Sequence, residues 1–414
     1  MHTKGSSMKI LQINTTYRTG GSTGRIVFEL SQIIKDHGDA AYCAFGYEYK
    51  PTNDANTYRI ENIPQLKWSI FQTRLLGEHG FYNRAETKKL LHWIDMVKPD
   101  IIHLHNLHNH YLNLEILFEY IREKKIPIVW TLHDCWSFTG WCAYFDYAGC
   151  SKWKDGCGDC PCLKDYPKTW FFDRSRSNYL RKKKLMTGIQ QLYLVAPSKW
   201  LADLTRESFL KEYPISVIHN GINLQNFSTE KKQADVSNYI TEKERRRIIL
   251  GVASSWSHRK GLDEFLRLNE RLDHKRYVLA LVGLKKEQLS YVPDNVYKIL
   301  RTNNVEELAE LYQRADIFLN LTLEDNYPTT NLEAQACGTP VITYKTGGSP
   351  ESVLEGKTGF IIDTGNIEML LNRIEVIEEN LEEFSQNAGL YAKDHFDQKM
   401  LFEQYITLYQ NILR

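Results

Sequence analysis

Residues Glu324-Asp325-Asn326-Tyr327-Pro328-Thr329-Thr330-Asn331-Leu332-Glu333 place carboxylates at both ends of a loop that leads into a helix. That helix is expected to begin near Thr329 or Thr330, to aim its unpaired amides at an anion, and to stop at Gly338 ahead of Pro340. Carboxylates accept from hydroxyls and a helix N-terminus favours negative charge, so the pattern suits a sugar joined to a phosphate. Read in isolation, the same residues also describe an ordinary strand-loop-helix with solvated acids.

Other groups carry chemistry of their own. Thr19-Gly20-Gly21-Ser22-Thr23-Gly24 permits close backbone approach and offers amides ahead of a helix, which fits a phosphate or a reacting sugar; a glycine turn without a ligand is the alternative. Ser257-His258-Arg259-Lys260-Gly261 follows a strand, where two cations either neutralise a departing diphosphate or form a solvated basic turn. His133-Asp134 closes an apolar run, the position at which an open parallel sheet presents catalytic groups. His103, His105, His108 and His110 invite a metal by their spacing, but neutral imidazoles are the preferred reading.

Cys142, Cys150, Cys157 and Cys160 lie in one short segment, with Cys157 and Cys160 forming a C-x2-C pair. Four thiolates in a chain without a secretion signal suit a structural zinc; reduced thiols, or a disulfide formed on isolation, are the alternatives. Trp170-Phe171-Phe172, with Arg174, Arg176 and the run Arg181-Lys182-Lys183-Lys184, fits either contact with an anionic bilayer or a solvated helix.

These residues need a scaffold, and the chain supplies it twice. Apolar runs of the kind buried in parallel sheets recur at 8–14, 100–105, 127–133, 192–197 and 215–218, then at 247–252, 277–283, 296–300, 317–320, 341–343 and 359–362. Helical spacing separates most of them, as at Arg25 to His37, so two doubly wound α/β domains are expected. The 414 residues also exceed one ordinary core. With 42% hydrophobic and 25% charged residues the composition is globular, and a net charge of +1 gives no field to attract nucleic acid. Residues 1–7 read as an expression scar, no apolar run is long enough to span a bilayer, and the expected address is the cytoplasm.

With these residues in place, the chain resembles the retaining GT-B glycosyltransferases of family 4, the glycosyl transferases group 1. Asp325 and Glu333 match the spacing of that family's glutamate-x7-glutamate signature, although members usually carry Glu at the first position and Glu324 falls one residue early. Lys260-Gly261 matches the family's lysine, whereas its arginine position falls near Ser255, so that Arg259 either supplies that charge or points elsewhere. The likeness extends from the first strand and glycine loop through His133-Asp134 and His219-Asn220-Gly221 to a terminal helix.

The resemblance implies two Rossmann-like domains facing across a cleft: 8–222 on the acceptor side, with a Cys-rich loop at 142–162, and 223–395 binding the nucleotide sugar. It implies that 396–414 forms a helix crossing back to the first domain. The implied activity is retaining transfer of a hexose-type sugar from a nucleoside-diphosphate sugar to a glycan or lipid-linked acceptor, without a catalytic metal, in bacterial surface polysaccharide biosynthesis. His133, Asp325 and Lys260 are the implied catalytic residues, with His133 donating to the sugar or its developing charge. Gly20, Gly21, Arg259, Glu324, Asn326, Thr329, Thr330, Asn331 and Glu333 complete the implied donor site, and Glu333 accepts from the ribose. The buried-strand histidines are expected to line the acceptor side. A lipid-linked acceptor places the protein at the inner face of the membrane. A catalytically degenerate nucleotide-sugar-binding protein is the alternative.

Overall fold

The structure is a computed structural model that describes residues 7–18, 22–47, 54–230, 234–241 and 245–414. The chain divides into two compact units, one running to His219 and taking back Phe402–Arg414, the other Asn220–Leu401.

The first unit is built on a seven-stranded sheet. Its strands are β1 (Lys9–Asn14), β2 (Ala40–Phe45), β3 (Thr57–Arg59), β4 (Ile101–Leu104), β5 (Ile128–Thr131), β6 (Leu192–Ala196) and β7 (Ile215–Val217). Their order is β3-β2-β1-β4-β5-β6-β7, and the pairings are parallel. Helices on both faces bury the central strands, which is why β4 and β5 read as continuous apolar runs rather than alternating ones. The buried polar exceptions are Gln12 and Asn14 on β1, His103 on β4 and Thr131 on β5, all sealed from solvent.

The second unit repeats the plan with six strands: β8 (Arg247–Val252), β9 (Tyr277–Val282), β10 (Tyr297–Ile299), β11 (Ile317–Asn320), β12 (Val341–Tyr344) and β13 (Gly359–Ile362). Their order is β10-β9-β8-β11-β12-β13, again parallel. In each unit the strand order reverses once, between β1 and β4 and between β8 and β11. Such a reversal parts the loops at the carboxyl ends of the strands and leaves a crevice there.

Five helices begin where side chains satisfy their first amides. Asn62 and Gln65 form a reciprocal capping box, and Asn113, Ser198, Asn304 and Asn366 each accept from an amide in the first turn. The helix Thr329–Ala336 has Pro328 at its cap position and no side-chain cap, and the helices Arg84–Val97, Ser175–Met186, Leu262–Asn269 and Leu381–His395 also lack one. The helix Gln398–Ile412 carries the chain back to the first unit, where Phe402, Tyr405, Ile406 and Tyr409 are buried. There Tyr409 Oη lies 2.6 Å from His103 Nδ1, and Tyr405 Oη lies 3.1 Å from Thr131 Oγ1.

Candidate functional site

In the second unit the acidic loop leaves β11 beside the basic turn that leaves β8, because the two strands are neighbours at the reversal point. Gly261 ends that turn at φ +78°, and a Cβ there would stand 2.0 Å from the carbonyl oxygen of Leu321. Only glycine allows so close a fit. Leu323 N donates to Arg259 O (2.9 Å) and Arg259 Nη1 donates to Glu324 O (2.8 Å), so Arg259 buttresses the loop backbone. Lys260 Nζ donates to Asp325 Oδ2 at 2.5 Å.

The loop after β12 closes on the same segment from the other side. Gly348 N donates to Asp325 O (3.1 Å), Thr346 Oγ1 donates to Thr322 O (2.7 Å), and a Cβ on Gly347 would stand 1.8 Å from Asp325 O. Asp325 is therefore fixed between two turns. Burial pushes its carboxyl up, but the Lys260 ammonium and its hydrogen bond, helped by Arg259, outweigh that and hold it below the usual carboxylate range. Asn326 N donates to Asp325 Oδ1 (2.9 Å), and Asn220 Nδ2 reaches Tyr327 O (3.4 Å).

Glu324 and Glu333 are buried within this unit, and Tyr312 Oη donates to Glu333 Oε2 at 3.1 Å. Asn331 is taken up internally, accepting from Asn320 Nδ2 (2.8 Å) and donating to Ser352 Oγ (2.9 Å), whereas Thr329 and Thr330 are half-buried at the uncapped helix start. The structure thus brings Arg259, Lys260, Glu324, Asp325, Asn326, Thr329 and Thr330 to one edge of the sheet. Reading the sequence missed Thr346-Gly347-Gly348. Its signal was present: paired glycines directly after a buried strand, at the carboxyl edge.

In the first unit, His133 and Asp134 follow β5. Asp134 Oδ2 pairs with His108 Nε2 (2.9 Å), and Oδ1 accepts from Trp136 N (2.9 Å). Burial lowers the pKa of Asp134's neighbour His133 to about 4, with His108 adding to the shift and Asp134 opposing it. Gly20 and Gly21 lie outside the described residues. His103 and His105 do not line any acceptor surface: they are 0% and 1% exposed and are bonded within the sheet.

Two family models divide the chain between them. "Glycosyltransferase Family 4" matches residues 25–226 and "Glycosyl transferases group 1" matches 235–395. The chain belongs to the family 4, group 1 glycosyltransferases. This glycosyltransferase is 26% identical over 434 residues to the putative colanic acid biosynthesis glycosyl transferase WcaC of Escherichia coli K12, covering 98% of this chain and 100% of the relative. Its fold is shared with sucrose-phosphate synthase of Thermosynechococcus elongatus (TM-score 0.71, 15% identity, 98% and 99% of the two chains). It is shared too with HepE of Anabaena, solved in complex with UDP-glucose (TM-score 0.66, 16% identity, 97% and 100%). Both sheets of the glycosyltransferase are those of the GT-B fold.

Two expectations for this glycosyltransferase need correction. Cys142, Cys150, Cys157 and Cys160 are not a ligand quartet. Cys157 Sγ accepts from Gly140 N (3.1 Å), while the Cys142 thiol hydrogen-bonds to Cys160 and to Cys162, which the expected set omitted. Among the described residues no group of three or more His, Cys, Asp or Glu is placed to hold a metal ion, and all eight cysteines are free thiols. The basic run is only partly solvated: Lys183 and Lys184 are exposed, but Lys182 is not. Lys182 is wholly buried, donates to Trp136 O (2.7 Å) and Thr139 O (3.1 Å), and has its pKa pushed down to about 7 by burial. Arg181 is engaged by Glu115 at 2.8 Å.

Proposed function

We propose that the enzyme transfers a hexose-type sugar, with retention, from a nucleoside-diphosphate sugar to a glycan or lipid-linked saccharide during assembly of a bacterial surface polysaccharide. The observation that carries this is the Lys260–Asp325 pair, locked by two glycine turns beside a helix whose amides no side chain caps. A diphosphate seated at Thr329 and Thr330 competes with Asp325 for the Lys260 ammonium. Asp325 is then released to accept from sugar hydroxyls, and Lys260, with the helix end, stabilises charge on the departing diphosphate. His133 is the group that meets the sugar. The leaving phosphate itself takes the acceptor proton on the same face, which retains configuration without a protein nucleophile. The relative in colanic acid biosynthesis supports the polysaccharide assignment, and the neighbour's UDP-glucose supports the donor class.

The test is a panel of nucleotide sugars, read by thermal stabilisation and by slow hydrolysis. One responding donor is expected on both readouts. Stabilisation by the nucleotide with no hydrolysis of any donor would mark a degenerate binding protein, and no response at all would refute the reading.

A lipid-linked acceptor also requires a membrane-facing surface. No helix among the described residues is long and apolar enough to cross a bilayer. Instead, Trp68 and Phe71 on the helix Ile63–Leu76 join Trp170, Phe171 and Phe172 in a chain of ring contacts of 5.5 to 6.5 Å. All five rings are exposed, Phe171 to 71%; the exposed cations Lys67, Arg74, Arg174 and Arg176 lie on the same two segments, with Arg174 5.9 Å from the Phe172 ring. Aromatic rings accompanied by cations suit an anionic bilayer interface. Changing Trp170, Phe171 and Phe172 to serine is expected to abolish sedimentation with vesicles of anionic lipid; unchanged sedimentation refutes the proposed surface.

A further inference from the structure

The sheet of the first unit buries a polar chain that ends on His133. Gln12, on β1, has an amide orientation that leaves no choice. Its Nε2 donates to Val27 O (3.1 Å), an atom that can only accept, and to Ser31 Oγ (2.7 Å), whose own proton goes to Val27 O (2.9 Å). Gln12 Oε1 is therefore the atom facing His105 Nε2 at 3.1 Å, and an amide oxygen can only accept. The His105 ring is 1% exposed and lies 4.0 Å, centroid to centroid, from that of His103. Burial holds its pKa well below the usual value, so the ring is neutral and has one N–H. That proton sits on Nε2, which makes His105 Nδ1 an acceptor.

His105 Nδ1 meets His133 Nε2 at 3.1 Å. The two rings are inclined by only 19° with centroids 5.4 Å apart, the edge-to-edge arrangement of an N–H···N bond between imidazoles. His133 must supply the proton. Being neutral as well, it then carries its lone pair on Nδ1.

We propose that Gln12, acting through His105, is a positioning residue that keeps the proton of His133 on Nε2 and thereby makes Nδ1 an acceptor for a hydroxyl of the donor sugar. The family resemblance implies a donating His133; this network reverses that role, because the only ring proton is already given to His105. The sugar-facing half rests on the function proposed above, and the tautomer assignment does not.

Long-range 1H–15N correlation spectra of the full chain labelled at histidine separate protonated from bare ring nitrogens, and the His133 signals are those lost in His133→Phe. A proton on Nε2 and a bare Nδ1 are expected in the parent protein. Gln12→Glu keeps an acceptor facing His105 and preserves that pattern. Gln12→Leu removes it and shifts the His133 tautomer ratio about tenfold toward Nδ1–H, on the scale of one lost buried hydrogen bond. A proton on Nδ1 in the parent protein overturns the proposal, as does a changed pattern in Gln12→Glu or an unchanged one in folded Gln12→Leu. If Gln12→Leu does not fold, the parent and Gln12→Glu spectra still decide.

Hydrolysis of the responding donor tests the other half: Gln12→Leu lowers kcat about tenfold with KM nearly constant. Unchanged kcat alongside the expected spectra overturns the sugar-facing role and leaves the tautomer relay standing. A parent protein that hydrolyses no donor defeats the transfer reading instead, and does so without touching the spectra.

Discussion

Asp325 and Glu324 are adjacent carboxylates with different surroundings, and that difference predicts different roles. Asp325 holds the Lys260 ammonium at 2.5 Å, so neutralising it strands a cation at the sheet edge and removes an acceptor for sugar hydroxyls. Asp325→Asn is expected to reduce donor hydrolysis by about a hundredfold, the scale of losing one preorganised charged contact. Glu324→Gln is expected to cost less, and the opposite order in steady-state kinetics would place Glu324 at the sugar. Glu61 offers a pH test away from the site. Its Oε2 has no partner, and burial, reinforced by Glu86 and opposed by Ser69, pushes its carboxyl from 4.5 up to about 8. A raised carboxyl favours the fold below its ordinary pKa, and the benefit fades as pH rises through about 8. Glu61→Gln should therefore leave the unfolding free energy, read by denaturant titration, near that of the parent at pH 4 and raise it above pH 8, by on the order of a few kcal/mol.

At the scale of elements, the turn after β12 decides whether the acidic loop keeps its shape. Gly347→Ala, at φ +54° and 1.8 Å from Asp325 O, cannot be accommodated without moving the loop. It should cost about 1–3 kcal/mol and abolish donor-dependent thermal stabilisation. Gly188→Ala, at φ +71° with nothing within 4 Å, should pay only the backbone strain and leave the donor response intact. Calorimetry with and without donor separates the two. The elements legible in the sequence were those with a strong period: the long apolar strands and the helix from Thr329, whose stop at a glycine follows from Gly338 at φ +80°. Ala40–Phe45 escaped because Ala, Tyr and Cys replace the branched residues that mark a core strand, and Thr57–Arg59 is too short to show a period. The Lys260–Asp325 contact was foreshadowed only as two separate motifs. Their meeting depends on β8 lying next to β11, a non-local pairing that no local pattern encodes.

At the scale of the whole molecule, the last helix belongs to both units. Tyr405 and Tyr409 bring hydroxyls to Thr131 and His103, which the sheet buries away from solvent. Tyr409→Phe leaves His103 Nδ1 unpaired in a fully buried position, a loss of about 1–3 kcal/mol. That loss should appear in hydrogen exchange as faster opening of β4 and β5, while amides of β8 and β11 keep their protection.

The return of Phe402–Arg414 to the first unit also sets a schedule. On the ribosome, the segment made first is the one completed last, since its sheet waits for residues that emerge after the whole second unit has been synthesised. The second unit, nearly continuous in sequence, is free to fold in the interval. Until then the polar chain under β4 and β5 lacks its tyrosine lid. A nascent chain stalled short of Tyr409 is accordingly the species most in need of a chaperone.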